Sequence, residues 1–234
     1  MCGRFAQATS LSQLARQFGA ETSVDIAVPG YNVAPTSTVA VVRIPKPGAV
    51  RVMEGLKWGF IPSWAKDPAL GAKMANARSE TASEKPSFRA ALKARRCLIP
   101  ADGFFEWKAG KTPKLPYYFT LKSGEPLALA GLWERWKPPA GGPEVVTFTL
   151  LTVGANELMA AVHDRMPVIL PPEDWAAWLD PTLQDVTRIQ EFLKPFPSGQ
   201  MACRMVSTYV NSPRNQGPKC IEPIADGLER LTKP

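Results

Sequence analysis

The chain has 234 residues, of which 45% are hydrophobic and 21% charged, an ordinary globular composition that excludes a disordered or fibrous protein. Its net charge of +7 favours a polyanionic partner without identifying one, because an excess of surface lysine gives the same value. No apolar run reaches the roughly 18 residues of a membrane span, and the first residues lack the hydrophobic segment of a signal peptide, so we expect a cytoplasmic protein with no membrane partner.

The length fits one large domain, and neither an internal repeat nor a linker divides the chain, so a single domain over residues 1–234 is expected. The cysteines at positions 2, 97, 203 and 220 form no C-x-x-C pair, which argues against disulfides and zinc in a reducing compartment. A single histidine makes a tetrahedral metal cage hard to build. We therefore expect no metal and no other cofactor.

Helical patterns along the chain are short. The first opens at the capping box Ser10-x-x-Gln13, ends at Gly19 and shares one apolar face among Leu11, Leu14, Ala15 and Phe18. The second spans residues 87–96. Its basic side chains fit a solvated face as well as a DNA-facing one: Arg89, Lys93, Arg95 and Arg96. Further helices are predicted at residues 156–162, 173–179 and 184–193.

Strand-like runs are more numerous than helices. They are predicted at residues 38–44, 49–58, 97–99, 117–121, 127–132, 145–153, 167–170 and 201–209. The connections at residues 108–116 and 137–143 are rich in Gly, Pro and Lys and are typical of surface loops. Strands joined largely by hairpins, with helices packed outside, predict an α+β domain with a curved sheet.

Cys2 is the first candidate for chemistry. A small residue after the initiator methionine normally permits removal of Met1, which would leave an amine and a thiol on one residue. An aldehyde condenses with the amine to an imine, and the thiol then closes a thiazolidine ring in an intramolecular step. The alternative is an incidental residue at a frayed terminus. Gly3 and Arg4 weaken that alternative, because glycine permits close approach of a ligand and arginine offers a fork for phosphate.

Six ordered motifs then point to one family. They are MCGRF at residues 1–5, YNVAP at 31–35, WGFIPSW at 58–64, NARSET at 76–81, GFFEW at 103–107 and HDRMP at 163–167. On these motifs the chain resembles, over nearly its whole length, the SOS-response-associated peptidase (SRAP) family, whose members react with abasic DNA. The resemblance implies a barrel-like, mostly antiparallel β core flanked by short helices.

The resemblance also implies that Cys2 is the crosslinking nucleophile. Glu106 can move the protons that open the hemiacetal of an abasic deoxyribose, although a glutamate between aromatics would otherwise be a solvated strand residue. His163 is the only histidine and titrates near neutrality, which suits a proton shuttle, whereas a lone histidine is more often structural. Asp164 would orient its ring, although neighbouring residues on a strand point to opposite faces.

Asn76 and Arg78 complete the pocket that the resemblance implies. Asn76 both donates and accepts hydrogen bonds, so it can hold the Cys2 amine or a sugar hydroxyl. On an extended segment Arg78 would face the same side and clamp a phosphate. A turn asparagine and a surface arginine are the alternative interpretation.

DNA contact needs cations for phosphates and flat side chains for bases. The aromatic candidates are Trp58, Phe60, Trp64 and Trp107. About half of them should reach DNA, since most aromatic residues are core, and Trp64 is favoured because it follows the turn at Pro62. Family members often carry a second aromatic directly after this position, where this chain has Ala65.

Three further DNA contacts are implied by the resemblance, namely Arg4, Asn32 and Arg165. The segment with Asn211 and Asn215 is similar to a closing Asn-rich segment of the family that approaches the DNA and the pocket. The remaining cysteines, at positions 97, 203 and 220, are interpreted as core or bystander thiols.

The sequence thus predicts a DNA-damage response protein that senses abasic sites in single-stranded DNA and at junctions with duplex. It would act as a monomer, associate with the nucleoid when bound, and form a thiazolidine crosslink through Cys2, with lyase and autopeptidase activity in addition. Two alternatives stay open: an N-terminal cysteine hydrolase or peptidase, and a non-catalytic single-stranded-DNA-binding protein.

Overall fold

A computed structural model describes residues 2–22, 26, 30–108 and 114–224. Its strands are β1 Arg4–Gln7, β2 Glu21–Thr22, β3 Gly30–Val33, β4 Thr38–Arg43, β5 Val52–Trp58, β6 Asn76–Arg78, β7 Arg96–Ala101, β8 Gly103–Lys108, β9 Leu115–Leu121, β10 Leu127–Trp136, β11 Val145–Gly154, β12 Arg165–Pro167 and β13 Met201–Met205. Its helices are α1 Leu11–Phe18, α2 Ser79–Ala82, α3 Arg89–Ala94, α4 Glu157–Ala160, α5 Trp175–Leu179 and α6 Val186–Gln190. Short 3-10 helices lie at Pro68–Met74, Pro172–Asp174, Ser198–Gln200, Thr208–Asn211 and Pro218–Cys220.

Five strands close into a barrel. Antiparallel pairing runs from β5 to β4, β7, β10 and β11, and β11 returns to β5 in parallel through Phe148 opposite Trp58. Closure pairs the strand edges that an open sheet would expose. The predicted α+β class and the curved, barrel-like, mostly antiparallel core are confirmed.

A second sheet carries the chain start. Its order is β13-β9-β8-β1-β3, antiparallel throughout, and Phe5 of β1 packs on Trp58 of the barrel with ring centroids 5.0 Å apart. The side chain of Gln7 joins the two layers. Its amide donates to the carbonyls of Ala40 and Pro100 at 2.9 and 2.6 Å and accepts from Ala40 N at 2.8 Å. A fully buried amide that satisfies backbone groups of β4 and β7 fixes β1 against the barrel.

The observed ends of helix α1 agree with the predicted ones. The Ser10 hydroxyl accepts from Gln13 N at 3.4 Å, and Gly19 adopts the left-handed conformation with φ of 57°. Phe18 is buried and stacks on Trp175 of α5 at 4.4 Å. The apolar face therefore packs the helix against the rest of the domain, as the spacing of its apolar residues predicted.

The interpretation of residues 87–96 as one basic helical face is wrong at its end. Helix α3 ends at Ala94, and Arg96 is a buried residue of β7 that donates to the carbonyls of Leu92 and Trp178. Arg95 pairs with Glu134 at 2.7 Å. Backbone carbonyls near the ends of α3 and α5 thus stabilise the charge of Arg96, which the sequence pattern had placed in solvent or against DNA.

Several predicted strands have other bounds. The run at 201–209 ends at Met205, and Ser207 then caps the 3-10 helix Thr208–Asn211 by accepting from Tyr209 N at 3.2 Å. The run at 167–170 is represented by β12 and a single bridge between Leu129 and Ile169. In the predicted loop 108–116, residues 109–113 lie outside the described residues. None of the described helices is long and apolar enough to span a bilayer.

Candidate active site

Cys2 lies two residues before Arg4, the first residue of β1, and is fully buried. Its Sγ atom lies 3.8 Å from the carbonyl oxygen of Arg4. Burial raises the pKa of the thiol, and the charge of Glu106 raises it further, which places the two side chains within electrostatic range. The thiol therefore keeps its proton at neutral pH.

Glu106 lies on β8, the strand that pairs with β1. Its side chain is only 4% exposed. Burial raises the pKa of the carboxyl to about 7, and the charge of Asp164 adds to that rise. A carboxyl that titrates near ambient pH can both give and take a proton, as general acid–base catalysis requires.

His163 lies just before β12, next to Asp164, the residue whose charge adds to the raised pKa of Glu106. Its Nδ1 atom accepts from Arg165 N at 2.9 Å and lies 2.9 Å from Asp164 Oδ1. Burial lowers the pKa of His163 despite the opposing charge of Asp164. The neutral ring accepts from Arg165 N and carries its proton on Nε2, whereas only a protonated ring can donate to Asp164. In the neutral ring Nδ1 and Asp164 Oδ1 are both acceptors, so the orienting role expected of Asp164 stays a prediction.

Asn76 begins β6, which runs parallel to β11 with Asn76 opposite Leu150. Its Oδ1 atom is buried and has no hydrogen-bond partner within the part of the chain that the structure describes. A buried acceptor without a donor is costly, so this atom is ready to accept from a bound group. Arg78 follows on the same side of the strand and is exposed.

Arg4 is held in place by two acceptors. Its Nη1 atom donates to Asn32 Oδ1 at 2.6 Å and to the carbonyl of Val210 at 3.1 Å. The guanidinium lies 5.4 Å from the ring centroid of Trp107. Asn32 is 1% exposed, and its amide is directed to the closing segment, so its assignment to DNA contact stays a prediction.

The expected stacking residues divide into core and surface. Trp58 and Phe60 are fully buried, so they are the core members of the four candidates. Trp64 is 60% exposed, and Trp107 is partly exposed with Nε1 donating to Asn211 Oδ1 at 2.7 Å. The contact with Asn211 holds the closing segment, which contains Asn211 and Asn215, against the strand of Glu106. The resemblance predicted that this segment approaches the pocket, but it did not predict this contact.

Arg165 connects the strand that follows His163 with the segment that follows Asn76 and Arg78. Its two Nη atoms donate to the carboxylate oxygens of Glu80 at 2.6 and 2.9 Å, and Nη2 donates to the carbonyl of Thr152 at 2.7 Å. Only 12% of its side chain is exposed, so its role as a phosphate contact stays a prediction. Sequence reasoning missed Glu80, although it stands in the NARSET motif.

Electrostatic effects thus link Cys2 with Glu106 and Glu106 with Asp164, the neighbour of His163, while Asn76 and Arg78 lie on β6, which pairs with β11. Among the described residues no three His, Cys, Asp or Glu side chains lie close enough to hold a metal ion. All four cysteines belong to the described residues and are free thiols. A site with an aminothiol precursor, a titratable carboxyl and a neutral imidazole is suited to carbonyl chemistry.

Comparison with known proteins gives four findings. Residues 1–213 match the family described as SOS response associated peptidase (SRAP). The chain is 44% identical over 225 residues to abasic site processing protein YoqW of Bacillus subtilis (95% of this chain, 99% of that protein). It is 34% identical over 238 residues to abasic site processing protein HMCES of Gallus gallus (88% and 69%). A crystal structure of a protein from Bacteroides thetaiotaomicron is similar with a TM-score of 0.86 and 28% identity (95% and 100%).

Proposed function

The chain belongs to the SOS response associated peptidase (SRAP) family, and on that premise we propose that it processes abasic sites in DNA by forming a covalent thiazolidine through Cys2. The observation that carries the proposal is that Cys2, which precedes β1, and Glu106, on the paired strand β8, lie within electrostatic range of each other, and that burial raises the pKa of this carboxyl to about 7. Processing of abasic sites is also what the names of the similar Bacillus and Gallus proteins state.

The reaction begins once Met1 is removed and the α-amine of Cys2 is free. An abasic deoxyribose is mainly a closed hemiacetal, and Glu106 transfers the protons that open it to the C1′ aldehyde. The amine adds to C1′ to give a carbinolamine, which loses water to form an imine. The thiol then adds across the C=N bond, so that sulfur bonds to C1′ and the thiol proton passes to nitrogen.

The protonation state of the thiol sets this order. Because burial raises the pKa of Cys2, the thiol is a poor first nucleophile, whereas an α-amine with a pKa of about 8 is partly neutral at pH 7. The amine therefore attacks first and the thiol attacks the more electrophilic imine. A cysteine hydrolase needs a thiolate as its first nucleophile, so the same feature disfavours the hydrolase alternative.

The polar neighbours have defined tasks in this proposal. Asn76 Oδ1, which has no partner among the described residues, accepts from the Cys2 amine or a sugar hydroxyl. His163 is neutral and donates through Nε2 during loss of water from the carbinolamine. The same imine permits β-elimination when a base removes a C2′ proton, which would give lyase activity. Autopeptidase activity would use Cys2 on its own chain.

DNA recognition belongs to the proposal as well. Trp64 offers an exposed stacking face and Arg78 an exposed cation, a pair suited to single strands of any sequence. We place the protein in the cytoplasm, associated with the nucleoid when bound. It acts as a monomer on single strands and on junctions with duplex.

Denaturing electrophoresis with a single-stranded oligonucleotide that carries one abasic site tests the proposal. Mass spectrometry first verifies that Cys2 is the N-terminal residue. We expect a shifted band that requires the lesion and Cys2, that needs no borohydride, and that Cys203→Ala retains. Cys2→Ser keeps the amine, so its crosslink should appear only when borohydride reduces the imine.

Two results would contradict the proposal. A shift with Cys2→Ala in the absence of borohydride would show that the crosslink is not a thiazolidine formed by Cys2. No shift from verified protein, together with lesion-independent binding in native gels, would favour the simple DNA-binding protein.

A further inference from the structure

The Glu80–Arg165 ion pair lies at the edge of the site and has no part in the reaction described above. Both Nη atoms of Arg165 donate to the Glu80 carboxylate, at 2.6 and 2.9 Å. The hydrogen bond from Arg165 holds the pKa of the Glu80 carboxyl below its ordinary value, so the pair is charged at neutral pH. A bidentate arginine–carboxylate pair fixes orientation as well as distance.

The same guanidinium also contacts the barrel. Its Nη2 atom donates to Thr152 O at 2.7 Å and to Thr152 Oγ1 at 3.3 Å. Thr152 of β11 lies opposite Arg78 of β6 and opposite Pro167 of β12. The Arg165 side chain therefore connects the end of β6, through Glu80, with the strand that follows His163.

The backbone of Arg165 contacts the imidazole directly. Its N–H donates to His163 Nδ1 at 2.9 Å. Since a neutral imidazole has one donor and one acceptor nitrogen, this bond leaves the proton on Nε2. The bond depends on where β12 begins, and the side chain of Arg165 anchors that position.

We propose that Glu80 is a positioning residue, whose ion pair with Arg165 holds the Arg165 N–H against His163 Nδ1 and so fixes the imidazole as the Nε2–H tautomer. The effect on the ring stands on geometry alone. Its effect on crosslinking rests on the proposed function, in which His163 transfers protons. In metal sites and catalytic triads an acceptor that binds the ring N–H fixes the tautomer, whereas here a donor that binds the bare Nδ1 atom does so.

A competing role for the pair makes a different prediction. If Glu80 merely occupied the Arg165 fork until a phosphate displaced it, loss of the carboxylate would strengthen DNA binding and leave the ring unchanged. If Glu80 is a positioning residue, loss of its carboxylate should alter the tautomer of the His163 ring and leave DNA binding nearly unchanged. Glu84 provides the matched control, because it is an exposed glutamate four residues further along.

Nitrogen NMR of the imidazole reads the ring directly, because the chain contains a single histidine. We expect wild-type protein and Glu84→Gln to show a bare Nδ1 and a protonated Nε2 at pH 8. Glu80→Gln should show shifts averaged between the two tautomers. Arg165→Lys, which retains the charge but loses the fork, should show the same averaging and serves if Glu80→Gln does not fold.

Crosslinking rates at saturating and limiting DNA supply the second readout. We expect Glu80→Gln to lower the plateau rate by roughly tenfold, part of the about 10² to 10⁴-fold that acid–base groups contribute. The DNA concentration for half-maximal rate should match that of Glu84→Gln. Glu80→Asp, which keeps the carboxylate, should recover part of the plateau rate.

The outcomes separate this inference from the proposed function. A wild-type ring signature in both folded variants, Glu80→Gln and Arg165→Lys, overturns the positioning role even where wild-type protein crosslinks normally. Failure of wild-type protein to crosslink overturns the proposed function and leaves the NMR comparison valid. Tighter DNA binding by Glu80→Gln with an unchanged ring supports phosphate competition and overturns positioning.

Discussion

Arg4 donates a 2.6 Å hydrogen bond to Oδ1 of Asn32, and the Nδ2 group of Asn32 donates in turn to the carbonyls of Val210, Ser212 and Asn215 at 2.8 to 3.2 Å. One buried amide thereby joins β1, β3 and the closing segment. It also fixes the guanidinium that lies two residues after Cys2. The arrangement gives Asn32 a structural task that its motif did not reveal.

Asn32→Ala should therefore destabilise the fold. The substitution removes the amide that donates to three carbonyls and one of the two acceptors of the Arg4 guanidinium, which keeps its bond to the Val210 carbonyl, so we expect the free energy of unfolding to fall by about 2 kcal/mol. Urea denaturation monitored by tryptophan fluorescence measures the loss. Gln184→Ala, at an exposed amide, should change it by less than about 0.5 kcal/mol. Equal midpoints for the two variants would show that the network contributes little.

The barrel was the predictable part of this fold. Runs such as TVAVVR in β4 and VVTFTLLTVG in β11 are long and rich in β-branched residues, so each signals a strand by itself. The parallel closure between β5 and β11 was not predictable. It depends on pairing between Trp58 and Phe148, and local pattern carries no information on such distant partners.

The strands that carry the site were missed for a related reason. β1, β3, β6 and β8 are only three to six residues long, and polar site residues such as Asn32 and Glu106 interrupt their apolar sequence. Motif resemblance identified these residues, while strand patterning did not. The pairs Arg165–Glu80 and Trp107–Asn211 join residues 85 and 104 positions apart, so neither pattern nor motif indicated them.

Trp64→Ala tests the surface assigned to DNA. Trp64 is 60% exposed, so its removal should leave the folding stability unchanged. Loss of one stacked base costs about 1 to 3 kcal/mol, which corresponds to roughly 5- to 150-fold in dissociation constant. Fluorescence anisotropy with an intact single-stranded oligonucleotide, in the Cys2→Ala background, measures binding without crosslinking. Val50→Ala, at a residue 56% exposed, controls for loss of exposed apolar surface; equal affinities for the two variants would rule out stacking.

Gly103→Ala tests the close packing behind the strand of Glu106. A Cβ atom at Gly103 would lie 2.6 Å from the carbonyl oxygen of Phe119 and equally close to the Tyr118 hydroxyl. Because a backbone atom cannot move aside cheaply, we expect the free energy of unfolding to fall by about 1 to 3 kcal/mol. At Gly154 a Cβ atom would meet nothing within 4 Å, so Gly154→Ala should be tolerated in the same thermal denaturation assay. Equal stabilities for the two variants would show that the close approach at Gly103 tolerates a Cβ atom.

Glu106→Gln should remove the pH dependence of stability that the buried carboxyl imposes. The pKa of Glu106 rises from an ordinary value of 4.5 to about 7 because of burial. Between these values the folded state binds more protons than the unfolded state, so the free energy of unfolding falls as pH rises. The loss is complete above pH 7 and amounts to about 3 kcal/mol.

Glutamine cannot ionise, so the variant escapes this loss. Urea denaturation at pH 4 and pH 8 should show Glu106→Gln gaining about 3 kcal/mol relative to wild type over that interval. Glu173→Gln, at an exposed carboxyl, should follow the wild-type curve throughout. Parallel curves for wild type and Glu106→Gln would mean that the carboxyl titrates normally, and Glu106 would then be ionised at neutral pH and unable to supply the proton that opens the sugar ring.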